Sequence, residues 1–124
     1  MPQSSLVVAT VDDDRRVRES VQSVLESAGY EGLSFESAEA FLESEAMSSV
    51  RCVIADVRLP GIDGLELQRR VRNDRPKLPV VFITAHDDEE VRQQALQDGA
   101  IAFLVKPFDG GELLECVARA TDYF

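Results

Sequence analysis

The sequence contains no tryptophan and a single histidine, His86, so a histidine-rich metal set is excluded. Its two cysteines, Cys52 and Cys116, lie in separate apolar segments and form neither a zinc-ligand spacing nor a disulfide framework. Both read as buried thiols of a reducing compartment. Basic residues are scarce: 13 Lys and Arg against 23 Asp and Glu give a formal net charge of −10. Phosphate backbones and anionic membrane surfaces would be repelled by such a chain, so neither nucleic acid nor membrane is expected to bind directly. Apolar runs of membrane-spanning length are missing, and the start, MPQSSLVVATVDDD, lacks the basic region of a signal peptide. The cytoplasm is the expected compartment. Repeats, linkers and low-complexity tracts are absent too, so the 124 residues read as one domain, 1–124, with one core.

What the sequence does have is alternation. Five short apolar runs, Leu6 to Val11, Gly32 to Phe35, Cys52 to Ala55, Val80 to Ile83 and Ala100 to Val105, alternate with five stretches of helical character. Val17, Val21, Val24, Leu25 and Ala28 recur at helical spacing before Gly29, the expected stop. Ser37 is placed to cap a short helix that turns Ala38, Phe41 and Leu42 inward. Leu65, Leu67 and Val71 mark a third helix, which should end before Pro76. Asp87 with Glu90 suggests a capped start for the helix of Val91, Ala95 and Leu96; Asp109 with Glu112 opens the last, with Leu113, Leu114 and Val117. Near-continuous apolar strands alternating with helices call for a parallel sheet covered on both faces. The length rules out a closed eight-unit barrel. The expectation is an α/β fold, an open doubly wound (βα)5 sheet that binds ligands at the carboxyl ends of its strands.

Those strand ends carry the polar residues. The first run ends in Asp12 and Asp13, the third in Asp56, the fourth in Thr84 and the fifth in Lys106. Each has an ordinary reading in isolation: helix caps for Asp12 to Asp14, a turn aspartate for Asp56, a strand-end hydroxyl for Thr84, a solvated lysine for Lys106. In a parallel sheet, however, they share one edge. Three neighbouring carboxylates repel unless a cation intervenes, and an all-oxygen ligand set favours a hard ion such as Mg²⁺, with Mn²⁺ as the alternative. A carboxylate nucleophile, a metal, an ammonium and a hydroxyl donor are the parts needed to stabilise a phosphoryl group moving onto a carboxylate. His86 reads as a loop residue near this crevice, not a ligand.

VDDD at 11–14, ADVRLPGIDG at 55–64, FITAH at 82–86 and DGAIAFLVKPF at 98–108 together resemble the receiver domain of two-component response regulators. Within that family the look is closest to the FixJ-like group. The resemblance covers essentially the whole chain and implies a flavodoxin-like sheet of strand order 2-1-3-4-5. It implies that Asp56 is the phosphoacceptor for a phosphohistidine of a sensor histidine kinase. It also implies that Asp13 and Asp56 bind Mg²⁺ through side chains, Asp12 largely through water, and Arg58 through its backbone carbonyl. Lys106 would pair with the phosphoryl group and precede a cis bond to Pro107, while Thr84 and Phe103 would act as switch residues. The third acidic residue is Asp14, where many members have Glu.

As a functional expectation this is a phosphorylation switch acting on the fourth helix and fifth strand, with control of transcription by an output domain beyond residue 124. Homodimerisation through the face of the fourth helix, fifth strand and fifth helix, around Val91, Ala95 and Ile101, is the family expectation. Two rivals differ in class. A haloacid-dehalogenase-like phosphohydrolase would need a hydroxyl at the fifth position after the first strand, where this chain has Arg16. A receiver-like binding module independent of phosphorylation would not need all of Asp12, Asp13, Asp56, Thr84 and Lys106. A flavin site is excluded because no glycine- and hydroxyl-rich phosphate loop follows the first strand.

Overall fold

A computed structural model describes residues 6–122. The order is β1 (Val7–Val11), α1 (Arg15–Ser27), β2 (Glu31–Phe35), α2 (Ala38–Glu43), a 3₁₀ turn (Ala46–Ser48), β3 (Cys52–Asp56), α3 (Gly64–Asp74), β4 (Val80–Thr84), α4 (Glu89–Gln97), β5 (Ala102–Val105) and α5 (Gly110–Asp122). The five strands form one parallel sheet ordered β2-β1-β3-β4-β5. The alternation of apolar runs and helical stretches therefore produces the expected doubly wound sheet.

Side chains alternate across each strand, and this splits the core into two layers. Ala9, Val11, Val53, Ala55, Val80 and Phe82 face a layer closed by Phe41, Leu67, Val71 and Ala95 of α2, α3 and α4. Val8, Cys52, Ile54, Val81 and Ile83 face the other, closed by Val21, Leu25, Leu113, Cys116 and Val117 of α1 and α5. Every residue of β3 and β4 is buried, as strands covered on both faces must be. Large side chains such as Phe41, Phe82 and Leu25 are fully enclosed, each contributing about 1.5–3 kcal/mol of burial free energy.

Local chemistry sets the element boundaries. Asp14 caps α1 by accepting the Arg16 N–H, and Val21 and Leu25, one turn apart, bury the inner face of the helix. Gly29 ends that helix at φ 87°; Ala28 serves as its C-cap and is exposed, not turned inward. Ser37 caps α2 as expected. For α4 the cap is Asp88, not Asp87: its carboxylate accepts the N–H groups of Glu90 and Val91. The fifth strand begins at Ala102 instead of Ala100, because the Ala100 N–H closes the end of α4 on the Ala95 carbonyl.

The strand order reverses between β1 and β3, the place where a doubly wound fold leaves a crevice. Val11 is in register with Ala55, so the next residues, Asp12 and Asp56, come side by side at the carboxyl end of the sheet.

Candidate functional site

Asp12 is fully buried immediately after β1. Its backbone is pinned on both sides: its N–H donates to the Phe35 carbonyl at 3.1 Å, and its carbonyl accepts from Arg18 Nη1 at 2.8 Å. Its Oδ1 accepts the Asp14 N–H at 2.8 Å, and its Oδ2 accepts Lys106 Nζ at 3.0 Å. Burial pushes the Asp12 carboxyl above its usual range, and the bonds from Asp14 and Lys106 offset this only in part.

Asp56, the last residue of β3, is 7% exposed. Its Oδ1 accepts the Arg58 N–H at 3.0 Å and its Oδ2 accepts Lys106 Nζ at 2.9 Å. Asp13 is exposed at the mouth, and carboxylate oxygens of Asp12, Asp13 and Asp56 all lie within 4.8 Å of one another. Burial alone would lower the Lys106 ammonium; its bonds to Asp56 and Asp12 more than reverse that and hold it above its ordinary value. The Lys106–Pro107 peptide bond is cis.

Four side chains thus bring three negative charges and one positive charge together. Two unit charges 4 Å apart interact by on the order of 4 kcal/mol in partly buried surroundings. One ammonium cannot neutralise three carboxylates, so the cluster retains a demand for a second cation. The donor set is all oxygen, with the exposed Asp13 at its open side, which suits a hard divalent ion. Asp12, Asp13 and Asp56 fit that role.

Thr84 ends β4, is 1% exposed, and reaches the same edge. Its Oγ1 accepts the His86 N–H at 3.1 Å, and its carbonyl accepts the Lys106 N–H at 2.6 Å, which links β4 to the lysine. His86 is exposed. Phe103, half-buried on β5, packs against Phe82 with ring centroids 6.4 Å apart and an interplanar angle of 56°. The Arg58 side chain is exposed, with Nη2 4.0 Å from Asp88 Oδ2. The residues singled out at the ends of β1, β3, β4 and β5 therefore converge on one edge, with Arg58 beside them and Phe103 farther back on β5, in register with Phe82.

Some features escaped the sequence reading. Ala95 is fully buried against α3 and cannot belong to an exposed dimer face; Val91 and Ile101 are half-buried, and Val105 is exposed. Arg18 on α1 supports the Asp12 carbonyl, but nothing in its position on an amphipathic helix announces that contact. Gly64 reads as a turn residue yet opens α3, where a Cβ would sit 2.4 Å from the Asp56 carbonyl oxygen and 2.7 Å from Val57 Cα. Its lack of a side chain lets α3 start directly behind the acidic site.

The family description "response regulator receiver domain" matches residues 8–118. Transcriptional regulatory protein FixJ of Bradyrhizobium diazoefficiens is 36% identical over 113 residues, covering 91% of this chain and 55% of FixJ. C4-dicarboxylate transport transcriptional regulatory protein DctD of Rhizobium meliloti is 40% identical over 115 residues, covering 93% of this chain and 25% of DctD. Among solved structures, the crystal structure of FixJ-N aligns with a TM-score of 0.86 at 31% identity, covering 98% of each chain. The chain spans about half the length of FixJ and about a quarter of that of DctD.

Proposed function

The chain belongs to the response regulator receiver domain family, and from that premise we propose that Asp56 is its phosphoacceptor, charged by the phosphohistidine of a sensor histidine kinase. The observation that carries this reading is the position of Lys106 Nζ, within 3.0 Å of both Asp12 and Asp56 at the switch point of the sheet. An Asp56 carboxylate oxygen attacks phosphorus, an O–P bond forms, and the donor's P–N bond breaks with the electron pair leaving on the imidazole. Lys106 is already held as an ammonium beside the attacking carboxylate, so it can follow the charge onto the phosphoryl oxygens without rearranging. Arg58 N–H fixes the orientation of the Asp56 carboxylate. The Thr84 hydroxyl lies at the same edge and donates to a phosphoryl oxygen once the group is in place.

Asp12, Asp13, Asp56 and the Arg58 backbone carbonyl would hold Mg²⁺, or Mn²⁺ in its place. When bound, the ion supplies positive charge against the developing phosphoryl charge. The product is a mixed anhydride whose added charge alters the edge formed by Thr84, α4 and β5. Receiver domains are signalling modules, not turnover enzymes in the ordinary sense. The chain acts as a single domain, and the α4–β5–α5 face serves a phosphorylation-dependent homodimer. The module is placed in the cytoplasm as part of this proposal; no helix among the described residues is long and apolar enough to cross a membrane. The FixJ and DctD relatives are transcriptional regulatory proteins, which supports transcription as the controlled output.

Incubation with Mg²⁺ and a small acyl phosphate should add one phosphoryl group by intact mass. An adduct that persists in Asp56→Asn would overturn the assignment.

A further inference from the structure

The loop between β3 and α3, residues 57–63, is tied at its ends by short local bonds. Arg58 N–H donates to Asp56 Oδ1 at 3.0 Å, and Gly64 N–H donates to the Val57 carbonyl at 2.8 Å. Its middle is tied to a different element. Ile62 N–H donates to Glu39 Oε2 at 3.0 Å, across 23 positions of sequence. Gly61 is pressed against the same carboxylate: at φ +74° it has a conformation that suits glycine, and a Cβ there would lie 2.2 Å from Glu39 Oε2.

Glu39 is not the side-chain N-cap of its own helix. Ser37 already caps α2 by accepting the Ala40 N–H at 3.0 Å. Besides its own backbone N–H, the Glu39 carboxylate accepts the Ile62 N–H of the loop through Oε2, while Oε1 is buried. The Ile62 N–H holds the Glu39 carboxyl below the usual range, as befits an ionised acceptor. A charge-assisted bond of this kind is roughly twice as strong as a neutral one.

We propose that Glu39 is a positioning residue for phosphoryl transfer: its carboxylate fixes the 57–63 loop so that the Arg58 backbone carbonyl completes the cation site beside Asp13 and Asp56. The inference rests on the receiver reading of that site. A carbonyl ligand adds affinity only to the extent that its segment is ordered before the ion arrives, because otherwise binding must supply the ordering entropy. Glu39 supplies the order from outside the site, and Gly61 makes room for it.

The test is calorimetric Mg²⁺ titration of the whole chain, the Glu39→Ala variant and the Glu39→Gln variant, together with hydrogen exchange at the Ile62 amide. Glu39→Ala should weaken Mg²⁺ binding about tenfold, the lower end for a group supporting a metal ligand, and speed exchange at Ile62. Glu39→Gln keeps an oxygen acceptor and should restore most of both. With an acyl phosphate donor, the Glu39→Ala rate should return to the unsubstituted value at saturating Mg²⁺, separating affinity from chemistry. Unchanged Mg²⁺ affinity, or a rate loss that saturating Mg²⁺ does not repair, would overturn the proposal. Unchanged Ile62 exchange would do so even without metal. Failure of the unsubstituted chain to bind Mg²⁺ would overturn the metal reading itself, a result distinct from any comparison between variants.

Discussion

Lys106 Nζ lies 2.9 Å from Asp56 Oδ2, joining two side chains 50 positions apart from the ends of β5 and β3, across the intervening β4. The bond is only partial compensation, because the same ammonium also serves Asp12. Asp56→Asn removes one of three like charges while keeping an oxygen acceptor for Lys106. It should therefore stabilise the metal-free protein by about 1 kcal/mol, a common result where function requires repulsive groups. Lys106→Met removes the cation bonded to both buried carboxylates and should destabilise it by about 1–3 kcal/mol. Urea unfolding at neutral pH in the presence of a chelator reads both, and opposite signs are expected. Loss of stability in both variants would contradict the charge imbalance.

A second pair separates a cap from an ion pair. Asp88 uses Oδ1 to cap α4 and lies 4.0 Å from Arg58 through Oδ2, with the two side chains 42% and 57% exposed. An ion pair so open to water contributes little, whereas a lost cap costs typically about 1 kcal/mol. Asp88→Ala should lower stability by about that amount. Arg58→Ala and Asp87→Ala should each stay within about 0.5 kcal/mol. Chemical unfolding of the three variants would distinguish them, and a larger loss for Asp87→Ala would restore the cap to the residue that the sequence spacing favours.

Burial pushes the Cys52 thiol up to about 12 from 9.0, with the neighbouring Cys116 adding to the effect. The folded chain therefore keeps a proton on Cys52 that the unfolded chain loses near pH 9. A raised folded value means the contribution is fully present below pH 9 and is lost as the pH rises toward 12, so Cys52 makes stability fall over that interval. Cys52→Ala should flatten that part of the alkaline stability profile. At pH 8 the native protein should leave Cys52 unmodified by iodoacetamide until it is unfolded, which peptide mass mapping would detect.

Much of this was legible in the sequence because the relevant signals are short-ranged or periodic. Apolar runs such as Val80 to Ile83 betray strands, and a parallel sheet then carries Asp12, Asp56, Thr84 and Lys106 to one edge whatever their separation in the chain. What stayed hidden depends on contacts with no local signature. Glu39 reads as a surface acid on a six-residue helix until the fold brings Ile62 to it. Ala95 has the spacing of a helix residue on either face, and only the packing of α4 against α3 and the sheet buries it. Asp87 and Asp88 both satisfy a cap pattern, and the choice falls to the chain path out of β4.

The switch itself can be tested through Thr84 and Phe103. In this structure the Thr84 hydroxyl oxygen is engaged with the His86 N–H, and Phe103 rests half-buried beside Phe82. A hydrogen bond from the hydroxyl to a charged phosphoryl oxygen is worth about 1.5–3 kcal/mol. That would bias a two-state equilibrium by about ten- to a hundredfold, enough for one hydroxyl to redirect the β4–α4 segment. Thr84→Ala should still accept a phosphoryl group at Asp56, since Lys106 and the acidic cluster are intact. It should lose most of the phosphorylation-induced change in amide chemical shifts along residues 86–91 and 102–105. Thr84→Ser keeps the hydroxyl and should recover that change. Phe103→Leu should leave the shifts at 86–91 responsive while blunting those on β5, because the hydroxyl remains but the β5 ring packed against Phe82 is gone. Equal responses in Thr84→Ala and the unsubstituted chain would mean that phosphate reaches α4 by another route, through the loop holding Arg58 and its contact with Asp88.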